Sequence, residues 1–170
     1  MKTIAAATLG CKVNQYDTEA ILEAFERAGY ASVPFSADAD VYLVNTCTVT
    51  GTGDQKSLKT IRRAARLHPD SAILVCGCLA QREAESIARM DNVRLVLGVQ
   101  RRAEAVELLE KALAENTTIN AVAPLRGAGF EKLFVSRHEG KTRATMKIQE
   151  GCDRYCAYCI IPTVRGPVRS

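Results

Sequence analysis

From residue 1 to about residue 115, short apolar runs alternate with longer stretches in which apolar positions recur at helical spacing. Residues 3–9 and Val41–Asn45 read as strands, with a weaker one at Ala31–Phe35 and others at Ala72–Val75 and Val93–Leu97. Between them, Asn14 is placed to cap a helix through about Ala28, with Ala20, Ile21, Ala24 and Phe25 on one side and Gly29 as the stop. Further helices are predicted from about Gly53 to Leu67, Leu79 to Met90 and Arg101 to Glu115. Strands alternating with amphipathic helices predict an α/β layer fold with a mostly parallel sheet.

The pattern fades over residues 116–140, which carry polar Asn116–Asn120, then Pro124, Gly127 and Gly129, and read as a linker. Thr142–Gln149 alternates again as a strand and runs straight into Gly151-Cys152-Asp153-Arg154-Tyr155-Cys156-Ala157-Tyr158-Cys159. The division is therefore residues 1–115, a linker over 116–140, and a second unit over 141–170.

Three thiols spaced x3 and then x2 can hold three corners of a cubic 4Fe–4S cluster and leave one iron open. The same offsets also describe one face of a helix, half of a zinc site, or disulfide partners. Gly151 and Pro162 leave little room for a helix. A zinc site usually needs a second CxxC-like half. Seven cysteines without a secretory leader disfavour disulfides.

A second set of thiols follows the strands. Cys11, Cys47 and Cys78 each stand just after one, and in a parallel sheet the strand C-termini share one edge, where such folds place ligands. Cys76 ends its apolar strand and reads as a structural thiol.

Composition refines the picture modestly. Apolar content of 47% and charged content of 25% suit a soluble globular domain, and with no tryptophan a large base-stacking surface is not expected. The net charge of +4 is uneven: residues 1–119 hold 14 Lys+Arg against 15 Asp+Glu, whereas residues 120–170 hold 9 against 4. The basic excess thus travels with the cysteine loop, where an anionic partner would account for it. Lys56, Lys59, Arg63 and Arg66 form one basic helix stripe suited to RNA phosphates or simply to solvent. Arg165, Gly166 and Arg169 are expected to face phosphate or cofactor, while His68 and His138 read as ordinary surface residues. The apolar start, Ile4–Ala7, is cut off by Gly10 short of the roughly 7–15 residues of a secretory core, and no run nears the roughly 20 of a membrane span. A cytoplasmic protein without membrane contact is expected.

The loop CDRYCAYC, with Tyr158 before the last cysteine, resembles the radical S-adenosylmethionine superfamily, and the run from Lys147 to Ser170 resembles its methylthiotransferase branch. The runs around Cys11 (TLGCKVNQYD), Cys47 (NTCTV) and Cys78 (GCLAQ) are similar to the three cysteine motifs of that branch's N-terminal domain. The resemblance implies two 4Fe–4S clusters: a catalytic one on Cys152, Cys156 and Cys159, which binds and cleaves S-adenosylmethionine, and an auxiliary one on Cys11, Cys47 and Cys78, which carries the sulfur. Tyr158 is implied to lie near the cofactor's adenine. Residues 141–170 are implied to be the first strand and cluster loop of a partial (β/α) barrel, so that the chain looks like an N-terminal fragment. The first motif is closest to enzymes acting on threonylcarbamoyladenosine beside the tRNA anticodon. A ribosomal-protein aspartate methylthiotransferase is the main rival, and a non-catalytic iron–sulfur or zinc module is the alternative of another class. The implied partners are the tRNA anticodon loop and an electron-donor protein.

Overall fold

Val41–Thr46 and Ala72–Gly77 are buried at every position, so their side chains serve two cores at once. That is the signature of central strands in a sheet covered on both faces. In the computed structural model, which describes residues 1–136 and 145–170, these strands are β3 and β4 of a six-stranded, all-parallel sheet. The remaining strands are β1 (Thr3–Thr8), β2 (Ala31–Val33), β5 (Val93–Val96) and β6 (Ile119–Asn120), in the order β2-β1-β3-β4-β5-β6.

Helices cover both faces. Helix α1 (Lys12–Arg27) and α5 (Ala105–Ala114, entered through a 3₁₀ turn at Arg102–Glu104) supply Ile21, Phe25, Ala105 and Leu109, which meet Ile4, Leu43, Leu74 and Leu95 on one face. On the other face, α2 (Gly51–Leu67), α3 (Cys78–Arg82) and α4 (Ala84–Ala88) bring Ile61, Ala64, Leu79 and Ile87 against Tyr42, Val44, Ile73 and Val75. The α/β expectation with a parallel sheet holds.

Several local expectations change. Asn14 lies inside α1 rather than capping it: Cys11 is the cap residue, and the buried Asn14 Nδ2 donates instead to Leu9 O (2.7 Å) and Thr46 O (3.0 Å). The helix expected over Leu79–Met90 is two short helices, because Glu83 leaves helical geometry at φ −117°, ψ 33°. Residues 119–120, inside the stretch read as a linker, add β6 to the sheet edge.

The strand expected over Thr142–Gln149 falls partly on residues 142–144, outside the described residues, and residues 145–149 form no strand. A ladder needs an adjacent edge, and among the described residues this stretch leads to one isolated antiparallel bridge, Glu150 to Arg169, with both hydrogen bonds at 2.8 Å. No barrel strand is present among the described residues. One further helix, α6 (Ile161–Arg165), starts with Pro162 in its first turn, where a missing N–H costs nothing. Among the described residues no helix is long and apolar enough to cross a membrane.

Candidate iron–sulfur sites

The carboxyl edge of the sheet gathers the first thiol set through its loops. Cys11 caps α1 after β1, Cys47 follows β3, and Cys78 opens α3 after β4. Cys47 and Cys78 are buried and Cys11 is exposed. All three are close enough that Cys11 and Cys47 act electrostatically on Cys78. Glycine makes the approach possible: a Cβ on Gly10, which sits at φ +100°, would lie 2.9 Å from Cys47 Sγ. Cys47 is held by Ser57, whose Oγ accepts from Cys47 N–H and donates to Cys47 O, both at 3.1 Å.

Cys76 belongs elsewhere. It is fully buried in the core with Ile4, Ile21, Leu74 and Leu95, and burial pushes its thiol well above the usual range. Cys78 instead packs with Val99 and Val164 beneath α6. Burial raises the Cys78 thiol too, but Arg165 opposes that by charge and by a hydrogen bond from Nε to Sγ at 3.2 Å.

The second set occupies one loop. Cys152 and Cys159 are half-buried and Cys156 is exposed. The loop's base is tied by Cys152 N–H to Gly166 O (3.1 Å) and Val168 N–H to Asp153 Oδ1 (3.0 Å), and its turn by Cys159 N–H to Cys156 O (2.9 Å). Gly151, at φ +82°, has no room for a side chain, since a Cβ would fall 2.0 Å from Pro167 O. Tyr158 is 93% exposed.

Between the two sets lies a buried ionic network. Arg102 donates to Asp17, to Glu131 (2.8 Å) and to Glu150 (3.0 Å); Lys147 reaches Asp17 (2.9 Å) and Glu150 (3.0 Å); Arg165 donates to Glu150 (2.5 Å), and Arg169 lies 3.6 Å from it. Burial works against the charge on Glu150, yet Arg102, Lys147 and Arg165 outweigh it and hold the carboxyl down to about 2. Three carboxylates thus face four cations among the described residues, leaving one positive charge beside Cys78.

This corrects the expectation for the basic segment. Lys147, Arg165 and Arg169 are turned inward onto Asp17 and Glu150, with Arg165 also reaching Cys78, rather than offered to solvent. Their one sequence signal was polar Asn14, Asp17 and Thr18 on the same α1 stripe as Ile21 and Phe25, an interruption that an apolar core would not tolerate unpaired.

Elsewhere, Lys56, Lys59, Arg63 and Arg66 do lie exposed along α2, joined by Arg62, and none pairs with a carboxylate among the described residues. His68 is not an ordinary surface residue: it stacks on Tyr42 (ring centroids 4.6 Å apart) with Nδ1 2.9 Å from Asp38. His138 lies outside the described residues. Among the described residues no three His, Cys, Asp or Glu converge closely enough for a single metal ion.

The donor set suits iron–sulfur chemistry: six thiols in two groups, a glycine cradle at Cys47, and a fixed cation donating to one sulfur. An open parallel sheet with chemistry-bearing loops at its carboxyl edge defines the class of domain. By its match over residues 3–98, the chain belongs to the family described as Uncharacterized protein family UPF0004.

Its relatives carry more specific names. A Bacillus subtilis (strain 168) protein named threonylcarbamoyladenosine tRNA methylthiotransferase MtaB is 47% identical over all of this chain and 38% of its own length. The Aquifex aeolicus protein of the same name is 38% identical over 98% of this chain and 41% of its own length. A Staphylococcus haemolyticus tRNA-2-methylthio-N(6)-dimethylallyladenosine synthase is 33% identical over 99% of this chain and 34% of its own. The methylthiotransferase resemblance read from the cysteine motifs is borne out by these relatives, of whose length the chain spans about two-fifths or less. Among solved structures, the isolated REC domain of RcsB from Salmonella enterica serovar Typhimurium matches 71% of this chain and 92% of its own, at 12% identity and TM-score 0.48, a loose likeness with no bearing on function.

Proposed function

We propose that this chain supplies both cluster-binding thiol sets of a radical S-adenosylmethionine tRNA methylthiotransferase, which inserts a methylthio group at C2 of threonylcarbamoyladenosine beside the anticodon. The observation that carries this reading is the arrival of Cys11, Cys47 and Cys78 at one sheet edge, with the Cys152–Cys159 segment docked against that edge through α6. Threonylcarbamoyladenosine is favoured over other substrates by the names of the Bacillus and Aquifex relatives.

When bound, the clusters and S-adenosylmethionine would supply the sulfur and the radical chemistry that an unactivated aromatic C–H requires. The protein's own residues hold and shield. Cys47 and Cys78 present sulfur from a dry interior, and Cys11 presents it from the solvent side. The exposed Cys156 and Tyr158 leave the outer face of the second loop open to a cofactor. The cations of α2 offer a surface to the RNA backbone, and an electron-donor protein completes the set of partners.

Anaerobic loading with iron and sulfide tests the cluster reading. The unaltered chain should hold about eight irons, and the Cys11/Cys47/Cys78→Ala and Cys152/Cys156/Cys159→Ala variants about four each. Zinc without acid-labile sulfide would overturn it. For the substrate, an anticodon stem–loop carrying threonylcarbamoyladenosine should bind more tightly than the same RNA without it; equal binding would remove that assignment.

A further inference from the structure

Arg165 is where the two thiol sets meet. It closes α6, which follows Cys159 directly, and its nitrogens leave in three directions. Nε donates to Cys78 Sγ at 3.2 Å, Nη1 to Glu150 Oε1 at 2.5 Å, and Nη2 to Asn14 Oδ1. The residue is 4% exposed. Two of its three bonds thus fix the plane of the guanidinium, so that Nε has no freedom to turn from the sulfur. Val164, the residue before it, packs in the small cluster that contains Cys78 and Val99.

We propose that Arg165 is a positioning residue through which the Cys152–Cys159 segment sets the reduction potential of a cluster held by Cys11, Cys47 and Cys78. The inference rests on the cluster reading above and goes beyond it, because it assigns to one set a residue carried by the segment of the other. One-electron reduction adds a negative charge to a cluster. A permanent cation that donates a hydrogen bond to a ligand sulfur stabilises the reduced state more than the oxidised one, and so raises the potential. The network around Arg165 holds one more cation than carboxylate among the described residues, so this charge is not cancelled before it reaches Cys78. A shift of the second loop that moves α6 would withdraw the donor and lower the potential of the first set. The two sites are thereby coupled through a single side chain.

The test uses the full 170-residue chain with Cys152, Cys156 and Cys159 changed to Ala, so that only the first set takes up iron and sulfide. Its midpoint is read by anaerobic dithionite titration followed by electron paramagnetic resonance, beside Arg165→Lys, Arg165→Gln and, as control, Arg89→Gln, whose side chain is 79% exposed. The Gln variant is expected at a more negative midpoint than the parent, the Lys variant between them, and the control unchanged. Parent midpoints in both Arg165 variants at equal iron content would overturn the proposal. If the Gln variant holds no iron, the Lys variant decides alone: a negative shift supports the coupling and the parent value refutes it. A parent that takes up no iron and sulfide removes the cluster reading itself, an outcome distinct from an unchanged midpoint.

Discussion

Gly77 turns the chain from β4 into α3 at φ +97°, and a Cβ there would sit 2.4 Å from both Asn45 Oδ1 and Thr46 O. Both obstacles are in the core edge, so neither can give way cheaply. Gly77→Ala should cost about 2–4 kcal/mol from backbone strain and overlap together, seen as a lowered Tm in a thermal melt. An unchanged Tm would mean that the turn relaxes freely. One residue either side, the thiols separate by role. Cys76→Ala should cost about 1–2 kcal/mol through the small cavity it leaves and should keep all iron in the loaded chain. Cys78→Ala should lose the iron of the first set, about half the total. Loss of iron from the Cys76 variant would exchange their roles. The sequence distinguished these neighbours by the apolar strand that Cys76 ends and by the Gly-Cys-x-Ala-Gln context of Cys78; the fold distinguishes them by side, since one points into the sheet's core and the other begins a helix beneath α6.

At the scale of elements, the strands were legible because runs such as Val41–Asn45 have no other way to bury both faces. What escaped were features whose partners lie far along the chain. Asn14 carries a good cap's chemistry, yet it spends its amide on Thr46 O, 32 residues away, and on Arg165, 151 residues away. Ile119–Asn120 is too short to show a period and is a strand only because β5 offers an edge. A similar long-range tie binds the opposite end of the sheet. Asp40 Oδ2, just before β3, accepts from Thr3 N (2.6 Å) and Thr3 Oγ1 (2.8 Å) at the start of β1. These hydrogen bonds, that from the Thr3 backbone foremost, lower the Asp40 pKa below its usual value. A carboxyl with a depressed folded pKa stabilises above its unfolded pKa and loses that contribution as pH falls through the folded one. The stability difference between the parent and Asp40→Asn, measured by urea melts, should therefore be largest at neutral pH. It should shrink below about pH 4 as the parent's carboxyl is protonated. A difference that stays constant from pH 7 to pH 3 would show that the charge contributes nothing.

At the scale of the molecule, residues 145–170 are held to the sheet domain mainly by charge rather than by apolar surface. Among the described residues, Val164 and Ile160 of this segment join Leu125, Cys78 and Val99 in one small apolar cluster, whereas Glu150 pairs with Arg102, and Lys147 and Arg165 reach Asp17. The excess of cations in the second part of the chain was legible; its inward direction was not, because Lys147 and Asp17 are 130 residues apart and no periodicity links them. Burying such groups costs several kcal/mol per ion, and the gain depends on every partner being present. Removing one cation is therefore far worse than removing a matched pair. Arg102→Met should destabilise by about 3–5 kcal/mol, since three carboxylates lose their shared guanidinium, and Glu131→Gln added to it should recover part of that loss. Arg102 is itself buried at the turn into α5, and its partner Glu150 lies in the segment that the network ties down. The expected first event is thus release of residues 145–170: limited proteolysis should cut this segment sooner while far-UV circular dichroism keeps the signal of the parallel sheet and its helices. Simultaneous loss of both signals would instead make the network part of one cooperative core, and an unchanged cleavage rate would show that apolar packing alone holds the cysteine loop in place.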